Sequence, residues 1–565
     1  MSRPRYRLDA VSLSSSVLHD VSCSAHPAEL LAIVGPSGAG KTSLLSLLAA
    51  VSPTGPTSGR LLLNGAPLCP PKFRRLSGHV TQEDALFPLL TVRESLSFSA
   101  RLRLPLSRGE SDSRVRTLLA DLSLEQVADS RIGALSGGER RRVSIGSDLV
   151  HDPQILLLDE PTSGLDSASA LHIISMLKSM AVNHGKTVIL TIHQPGFRIL
   201  ELVDRLLLIS AGSVKHFGPL SLLEKRLSDS GLSVPPHVNV LEFAMDKINT
   251  LTTVVTTTAA ATEEHQEVAV TKSCSSGDKE RTVSYYANSR SGEVLILTSR
   301  FFKNVLRTQQ LSTARMLQCL LAGVALGTIF MDVDNLQARV GFFAFTLTFL
   351  LSSTTEGLPV FLQERTILTR ETSRGAYRVS SYVLSNALVF LPFLLLASLL
   401  YAAPVYWLVG LRPELGGFLY FSLVVWMVMA MANSFVACFS ALVPNFIMGN
   451  SLIAGFMGSF FLFSGYFISK RNIPKYWIFM HYMSLFKYPF EGFLVNEYGC
   501  GRGRRRCADR EVGGVCAMDG EMFLRQQGLV ESQKWTNLGV MMGFICGYRL
   551  LCFFILWVRC CRLRR

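Results

Sequence analysis

No charged residue falls between Tyr382 and Leu411, and none between Leu415 and Ser469. Runs of that length without Asp, Glu, Lys or Arg exclude an ordinary water-facing surface and mark segments that leave water. The first part of the chain lacks the opposite feature, since no apolar run long enough to cross a bilayer begins before about residue 312. The N-terminal Met-Ser-Arg-Pro-Arg-Tyr-Arg has no apolar core behind it, so no cleaved signal peptide is expected and the first domain is expected to stay in the cytosol. The N-x-[ST] acceptor pattern is absent. A net charge of +14 invites a nucleic-acid partner, but the Lys and Arg are spread along the chain and many flank apolar spans, so none is expected.

The 565 residues suffice for two or three domains, and 48% of them are hydrophobic, with the excess in the C-terminal half. Residues 1–249 read as a soluble α/β domain, with apolar strand-like runs at Leu30–Val34, Ile155–Leu158 and Thr187–Ile192 between helical stretches. Residues 250–292 are rich in Thr, Ala, Ser, Glu and Lys and lack a periodic apolar face, which predicts a flexible linker. An amphipathic helix at the membrane interface is expected over 293–312, with Phe301, Phe302, Val305 and Leu306 on one face and Arg300, Lys303 and Arg307 among its polar positions.

Residues 313–565 then fit six spans: Met316–Met331, Val340–Leu362, Tyr382–Leu411, two from the uncharged run broken at Val443-Pro444-Asn445, and Asn537–Val558. Arg365, Arg370, Arg374 and Arg378 lie between spans two and three, and Arg559, Arg562, Arg564 and Arg565 follow span six. Those segments are expected inside, which puts both termini in the cytosol. The loop 470–535 then falls outside, and its apolar start, Tyr476–Met480, suggests a re-entrant segment.

The chemistry lies ahead of the spans. Gly35-Pro36-Ser37-Gly38-Ala39-Gly40-Lys41-Thr42 fits G-x-x-x-x-G-K-[ST], between a strand and the helix opened by Ser43-Leu44-Leu45. Gly35, Gly38 and Gly40 let backbone N–H groups close on phosphate oxygens, Lys41 is expected at the β- and γ-phosphates of ATP, and Thr42 on Mg²⁺. Asp159 ends an apolar strand, the place for a carboxylate that holds Mg²⁺ through water, and Glu160 beside it is placed to act as general base. Pro161-Thr162-Ser163-Gly164-Leu165-Asp166 follows.

With Leu135-Ser136-Gly137-Gly138-Glu139 between these two motifs, the chain resembles the ATP-binding cassette family over essentially the whole first domain. The resemblance implies that Ser136, Gly137 and Gly138 contact the γ-phosphate of ATP held by the opposite subunit. It implies that Gln82 senses Mg²⁺, that Ser163–Asp166 touches the partner subunit, and that His193 is a γ-phosphate switch. The aromatic on which the family stacks adenine is missing from Leu13–Val17, with Tyr6 as a possible substitute.

One copy of each motif makes the chain half a machine, so a second half-transporter is expected, identical or different. A cassette followed by six spans resembles the White-type, or G, subfamily, most closely its plant half-size members. The local matches are Gly138–Gly146, Phe87–Val92, Gln363-Glu364-Arg365, Arg370-Glu371 and Tyr377–Tyr382, the last three resembling the family's coupling helix, together with Ser464-Gly465. The fold implied is an α/β P-loop nucleotide-binding domain followed by an all-α polytopic membrane domain of six helices. The function implied is ATP-driven export of a lipophilic small molecule such as a lipid, sterol or plant hormone, from a plasma membrane protein in contact with membrane lipid. Uptake, or a non-hydrolysing partner subunit, are the alternatives.

Cargo is expected between spans two and five, at Phe345 and Phe349, with Phe342 on the same stripe, and at Gly458, Phe461 and Tyr466, with Tyr466-Phe467 as an aromatic valve. Glu356 in span two and Arg549 in span six are ionisable residues at membrane depth, either functional or else snorkelling or paired internally. Cys500, Cys507 and Cys516 fall in the external loop, where one internal bridge and one between subunits are possible, with metal binding as the alternative.

Overall fold

Strands that are apolar on both faces need a sheet covered on both sides. The computed structural model describes residues 5–51, 57–105, 107–232, 234–235, 238–248, 286–331, 335–468, 472–499, 507–510 and 516–564. Its first ten strands are β1 (Leu8–Ser14), β2 (Val21–Ala25), β3 (Leu30–Val34), β4 (Ser58–Leu63), β5 (Ala66–Pro67), β6 (Ser77–Val80), β7 (Ile155–Leu158), β8 (Thr187–Thr191), β9 (Arg205–Ser210) and β10 (Ser213–Gly218). Every residue of β3, β7 and β8 is buried. They lie in a six-stranded sheet of order β10-β9-β3-β8-β7-β6, parallel except for the β9–β10 pair. A second sheet, β2-β1-β4-β5, is antiparallel and packs its apolar face on the first. Helices α1 (Lys41–Leu48), α2 (Gly137–Leu149) and α3 (Ser167–His184) belong to the same unit.

The described chain divides into two compact units: Met1–Ser289 with Arg370–Tyr377 and Cys561–Arg565, and Arg290–Thr369 with Arg378–Cys560. Most of the expected linker, residues 250–285, lies outside the described residues. The second unit holds α4 (Arg290–Arg307), α5 (Arg315–Ile329), α6 (Leu336–Ser353), the start of α7 (Leu358–Ser373), α8 (Val379–Leu408), α9 (Leu415–Leu442), α10 (Phe446–Leu462), α11 (Lys487–Tyr498) and most of α12 (Gln533–Arg564). Among the described residues five helical stretches are long and apolar enough to cross a membrane, and α10, at 17 residues, is a shorter apolar helix.

One sequence expectation changes here. In α4 the apolar face is split: Phe301 and Val305 are buried, whereas Phe302 and Leu306 are exposed. The buried side instead carries Glu293, Arg300 and Asn304. Glu293 makes that possible, because its carboxylate accepts from Arg378 Nη1 (2.6 Å), Arg378 N (3.1 Å) and Ser381 Oγ (2.6 Å). Arg365 and Arg370 stand on helix α7, into which α6 continues through a 3₁₀ turn, Thr354–Gly357. In the 470–535 loop Tyr476, Trp477 and Phe479 are exposed, and a buried helix follows at α11.

There Phe493 stacks on Phe343 at 5.4 Å and meets Phe421 at 4.9 Å. Glu497 accepts from Arg339 Nη1 at 2.9 Å and from Arg412 N at 3.1 Å, all buried. Helices α5 and α8 approach closely at a glycine: a Cβ on Gly323 would lie 2.8 Å from Tyr401 O and 2.9 Å from Pro404 Cγ.

Replacing Glu497 with Ala takes away the carboxylate shared by Arg339 and the Arg412 backbone. The expected loss is about 3–5 kcal/mol of stability, measured as a lower thermal unfolding midpoint of the full chain in detergent.

Candidate ATP-hydrolysis site

The loop between β3 and α1 leaves the carboxyl edge of the parallel sheet, where open α/β sheets place ligands. Backbone crowding sets its glycines: a Cβ on Gly35 would fall 2.1 Å from Ile209 O, and Gly40, which caps α1, has φ +100°. That Gly40 Cβ would also lie 2.8 Å from Leu18 and 3.4 Å from Val17, so aliphatic side chains flank the loop where the sequence lacks an aromatic. Tyr6 packs instead on the core of the antiparallel sheet, its carbonyl accepting from Thr187 Oγ1 at 2.6 Å. Lys41 is buried, and its Nζ donates to Gly35 O (2.8 Å) and Pro36 O (3.0 Å). Burial lowers its pKa, against the opposing pull of Glu160 and Asp159.

Strand β7 delivers Asp159 and Glu160 to the same edge. Asp159 is buried, and its Oδ1 accepts from Thr191 Oγ1 at 2.7 Å and Thr42 Oγ1 at 3.2 Å. Glu160 follows at φ +42°, a left-handed conformation that disfavours a side chain. Its N–H donates to Thr191 Oγ1 at 2.8 Å, and its Oε2 accepts from Gln82 Nε2 at 3.0 Å. Thr42, Gln82, Asp159 and Glu160 thus form one connected set, and Thr191 at the end of β8 is a member that sequence reading missed. The signal was present: Thr191 is the sole polar residue in Val188–Ile192.

Of the remaining motif residues, Ser136, Gly137, Asp166 and His193 are exposed and Gly138 is buried. His193 follows β8 with its side chain exposed. Ser136 is the N-cap of α2, its Oγ donating to Glu139 Oε2 (2.7 Å) and accepting from Glu139 N (3.3 Å). The Ser136 hydroxyl and N–H hold the Glu139 carboxyl below its usual range. Asp166 caps α3 through Ser169 N at 3.0 Å. The two caps are neighbours, because a Cβ on Gly138 would meet Ser169 Oγ at 3.0 Å and one on Gly137 would meet Leu165 at 3.2 Å. Ser43 is half-buried in the first turn of α1.

These residues fit ATP with Mg²⁺. A buried ammonium satisfied only by loop carbonyls is short of anionic charge at the loop, which phosphate supplies. The hydroxyl of Thr42, the carboxylate of Asp159 and the carboxamide of Gln82 are hard oxygen donors of the kind Mg²⁺ takes.

Elsewhere in the first unit, buried Asp148 on α2 accepts from Arg103 (3.1 Å), Arg370 (3.1 Å) and Arg374. Burial alone would raise its pKa, but Arg374, Arg370 and Arg103 reverse this and hold it at about 2. His151 bonds Arg103 Nη1 and Ser77 O, each at 3.1 Å. Burial, reinforced by Arg374 and Arg370, pushes His79 down to about 4. Burial with Arg103 pushes His151 down to about 3.

In the second unit the expected aromatic stripe on α6 divides. Phe342 is buried against Phe343 and Phe330, Phe349 stacks on Tyr401 at 5.8 Å, and only Phe345 is exposed. The three share a helix face by spacing, but their neighbours bury Phe342, half-bury Phe349 and leave Phe345 exposed. Phe461, Tyr466 and Phe467 do come together, with ring centroids 4.9–6.2 Å apart, and Phe486 and Phe490 join them. Arg549 donates to Asn386 Oδ1 (2.8 Å) and Ser434 Oγ (3.1 Å), and Glu356 accepts from Gln318 at 3.3 Å. Cys507 and Cys516 stand on the antiparallel strands Cys507–Arg510 and Cys516–Asp519, but their side chains, and all of Cys500, lie outside the described residues.

Residues 18–163 match the family model described as ABC transporter, and residues 292–498 that described as ABC-2 type transporter. The chain is similar to three proteins of Arabidopsis thaliana. It is 49% identical to ABC transporter G family member 5, over 96% of this chain and 89% of that protein. It is 46% identical to member 4, over 96% and 94%, and 47% identical to member 8, over 97% and 93%.

Two outcomes test this geometry. Thr191→Val keeps the shape and deletes the hydroxyl, leaving Glu160 N and Asp159 without it. A loss of about 1–3 kcal/mol is expected, read as kcat lower by roughly 10- to 100-fold. Stability against pH tests the histidines. A lowered folded pKa means that the unfolded chain binds protons first as pH falls below 6.5, so the thermal midpoint is expected to drop between pH 6.5 and about 4. Replacing His79 or His151 with Gln should flatten that slope. Asp148, with its depressed pKa, gives stability that is present above 3.8 and is lost only as pH falls through about 2.

Proposed function

The chain belongs to the ABC transporter G family, and from that premise we propose that it exports a lipophilic small molecule, a lipid, sterol or plant hormone. It hydrolyses ATP and couples that reaction to transport across a membrane, as an integral membrane protein that works as a dimer of half-transporters. We take the membrane to be the plasma membrane, and the arginine-rich segments after Leu362 and after Val558 support both termini being cytosolic.

Glu160 is the general base in this reading. The connected set Gln82–Glu160–Thr191–Asp159–Thr42 is the observation that supports it most directly. Bound Mg²⁺ supplies neutralising charge at the phosphates. Lys41 leaves its loop carbonyls to hold phosphate oxygens, while Thr42, Asp159 and Gln82 are the residues that hold the ion. Thr191 keeps the Glu160 backbone in place while its carboxylate takes the proton of the attacking water. His193 and the Ser136-Gly137-Gly138 cap complete a site shared by two subunits, Ser136 turning its hydroxyl from Glu139 towards the γ-phosphate.

The cargo reading rests on the cluster Phe461, Tyr466, Phe467, Phe486 and Phe490 in the membrane unit, with Phe345 exposed on α6. Aromatic faces suit a rigid apolar ligand, and the Tyr466 hydroxyl offers a polar handle. Tyr466-Phe467 acts as the valve.

ATPase activity of the purified chain in lipid, against sterols, lipids and hormones, tests this. Glu160→Gln is expected to lower kcat by about 10²- to 10⁴-fold with ATP still bound. One lipophilic compound should raise the parent's turnover and accumulate in inside-out vesicles. Turnover in Glu160→Gln at the parent's rate would remove the base assignment, and accumulation in right-side-out vesicles alone would reverse the direction.

A further inference from the structure

One buried guanidinium ties together the segments on which hydrolysis depends. Arg141, 4% exposed, projects from α2. Its Nη1 donates to Thr81 O (2.8 Å), Gln82 O (2.9 Å) and Asp84 Oδ1 (2.8 Å). Its Nη2 donates to Asp159 O (2.8 Å) and reaches Glu160 O at 3.4 Å. Only Nε lacks an acceptor. One fork of the side chain therefore holds the backbone that carries Gln82, and the other holds the backbone that carries Asp159 and Glu160.

Those two segments meet again through their side chains, at the 3.0 Å bond from Gln82 Nε2 to Glu160 Oε2. We propose that Arg141 is a positioning residue for ATP hydrolysis, setting the distance between the Gln82 segment and the Asp159-Glu160 corner so that Gln82 aims the Glu160 carboxylate. This rests on the reading of Glu160 as the general base.

The chemistry of the side chain supports the role. Two backbone groups and a carboxylate on one nitrogen, with two more carbonyls on the other, need a flat, rigid donor fork. Lysine would offer a single point charge and could not span both segments. The corner also needs such a clasp, because Glu160 sits at φ +42°, where a side chain is held only by its surroundings. Thr191 fixes the Glu160 N–H from one side and Arg141 the carbonyls from the other. Since α2 begins at the Ser136 cap, the helix that presents Ser136 is the one that clasps the corner.

A residue that only staples the fold would lower stability, ATP affinity and turnover together. A positioning residue lowers kcat, and does so only while Gln82 and Glu160 are there to be positioned. The test uses the full-length chain in lipid, with kcat, KM for ATP and thermal midpoint measured for Arg141→Lys, Gln82→Ala, the double variant and Glu160→Gln.

Arg141→Lys is expected to lower kcat by about 100-fold, as a small misplacement does, with KM and the thermal midpoint close to the parent's. In the Gln82→Ala background the same change should lower kcat by less than about 3-fold, because coupled residues are not additive. Three results would overturn the proposal: parental kcat in Arg141→Lys, the same fold-loss in both backgrounds, or parallel losses of kcat, ATP affinity and midpoint. Arg141→Gln is read the same way if the lysine variant does not fold, and failure of both to fold counts as the parallel loss. A dead Glu160→Gln beside an active Arg141→Lys sinks this proposal alone, whereas an active Glu160→Gln sinks the base assignment beneath it.

Discussion

Two adjacent carboxylates at the end of one buried strand set the terms for the first unit. Asp159 is a buried carboxylate, and Glu160 must turn into a left-handed conformation one residue later. Neither is stable alone, because an unpaired buried charge and a strained backbone both need compensation nearby. The Thr191 hydroxyl donates to Asp159 and accepts from the Glu160 N–H, serving both from one atom. That places β8 next to β7, and β8 in turn pairs with β3, the strand that opens into the phosphate loop. Strand order, loop position and chemistry follow from holding this corner.

The membrane unit solves a related problem with different means. Two of its buried carboxylates have arginine partners, Glu293 with Arg378 and Glu497 with Arg339, each taking more than one donor, whereas Glu364 is held by Tyr382 and Asn386. Removing one partner of such a pair leaves a buried charge uncompensated, which is where the cost of breaking it lies. Between them the packing is aromatic and close, as where Phe493 lies against Phe343 and Phe421, or where Gly323 admits the Tyr401 backbone.

Much of this was legible in the chain. The phosphate loop, Asp159-Glu160 and the Ser136 cap announce themselves because each combines a motif with its strand or helix context, and Gln82 falls in place through its bond to Glu160. The uncharged stretches mark α8, α9 and α10, with the break at Val443-Pro444-Asn445. Less legible were residues whose role depends on partners far along the chain. Thr191 reads as one more strand residue and Arg141 as one of three arginines in a row. Their meaning lies in bonds to residues 32 and 60 positions away. Helix α4 misled for the same reason, since the carboxylate that buries its polar side, Glu293, finds its donors more than 80 residues on. Nor does periodicity distinguish lipid-facing from packed aromatics, so Phe342, Phe345 and Phe349 look alike until their neighbours are known.

A site shared between two copies is the central claim, and complementation of dead subunits tests it directly. One chain carries Lys41→Ala and the other Ser136→Arg, each silent as a homodimer. In a mixed dimer with shared sites, one site holds both lesions and the other holds none. Turnover should then return to at most half of the parental rate. Mixed dimers that stay as silent as either homodimer would contradict the shared site and place all the catalytic machinery within a single chain.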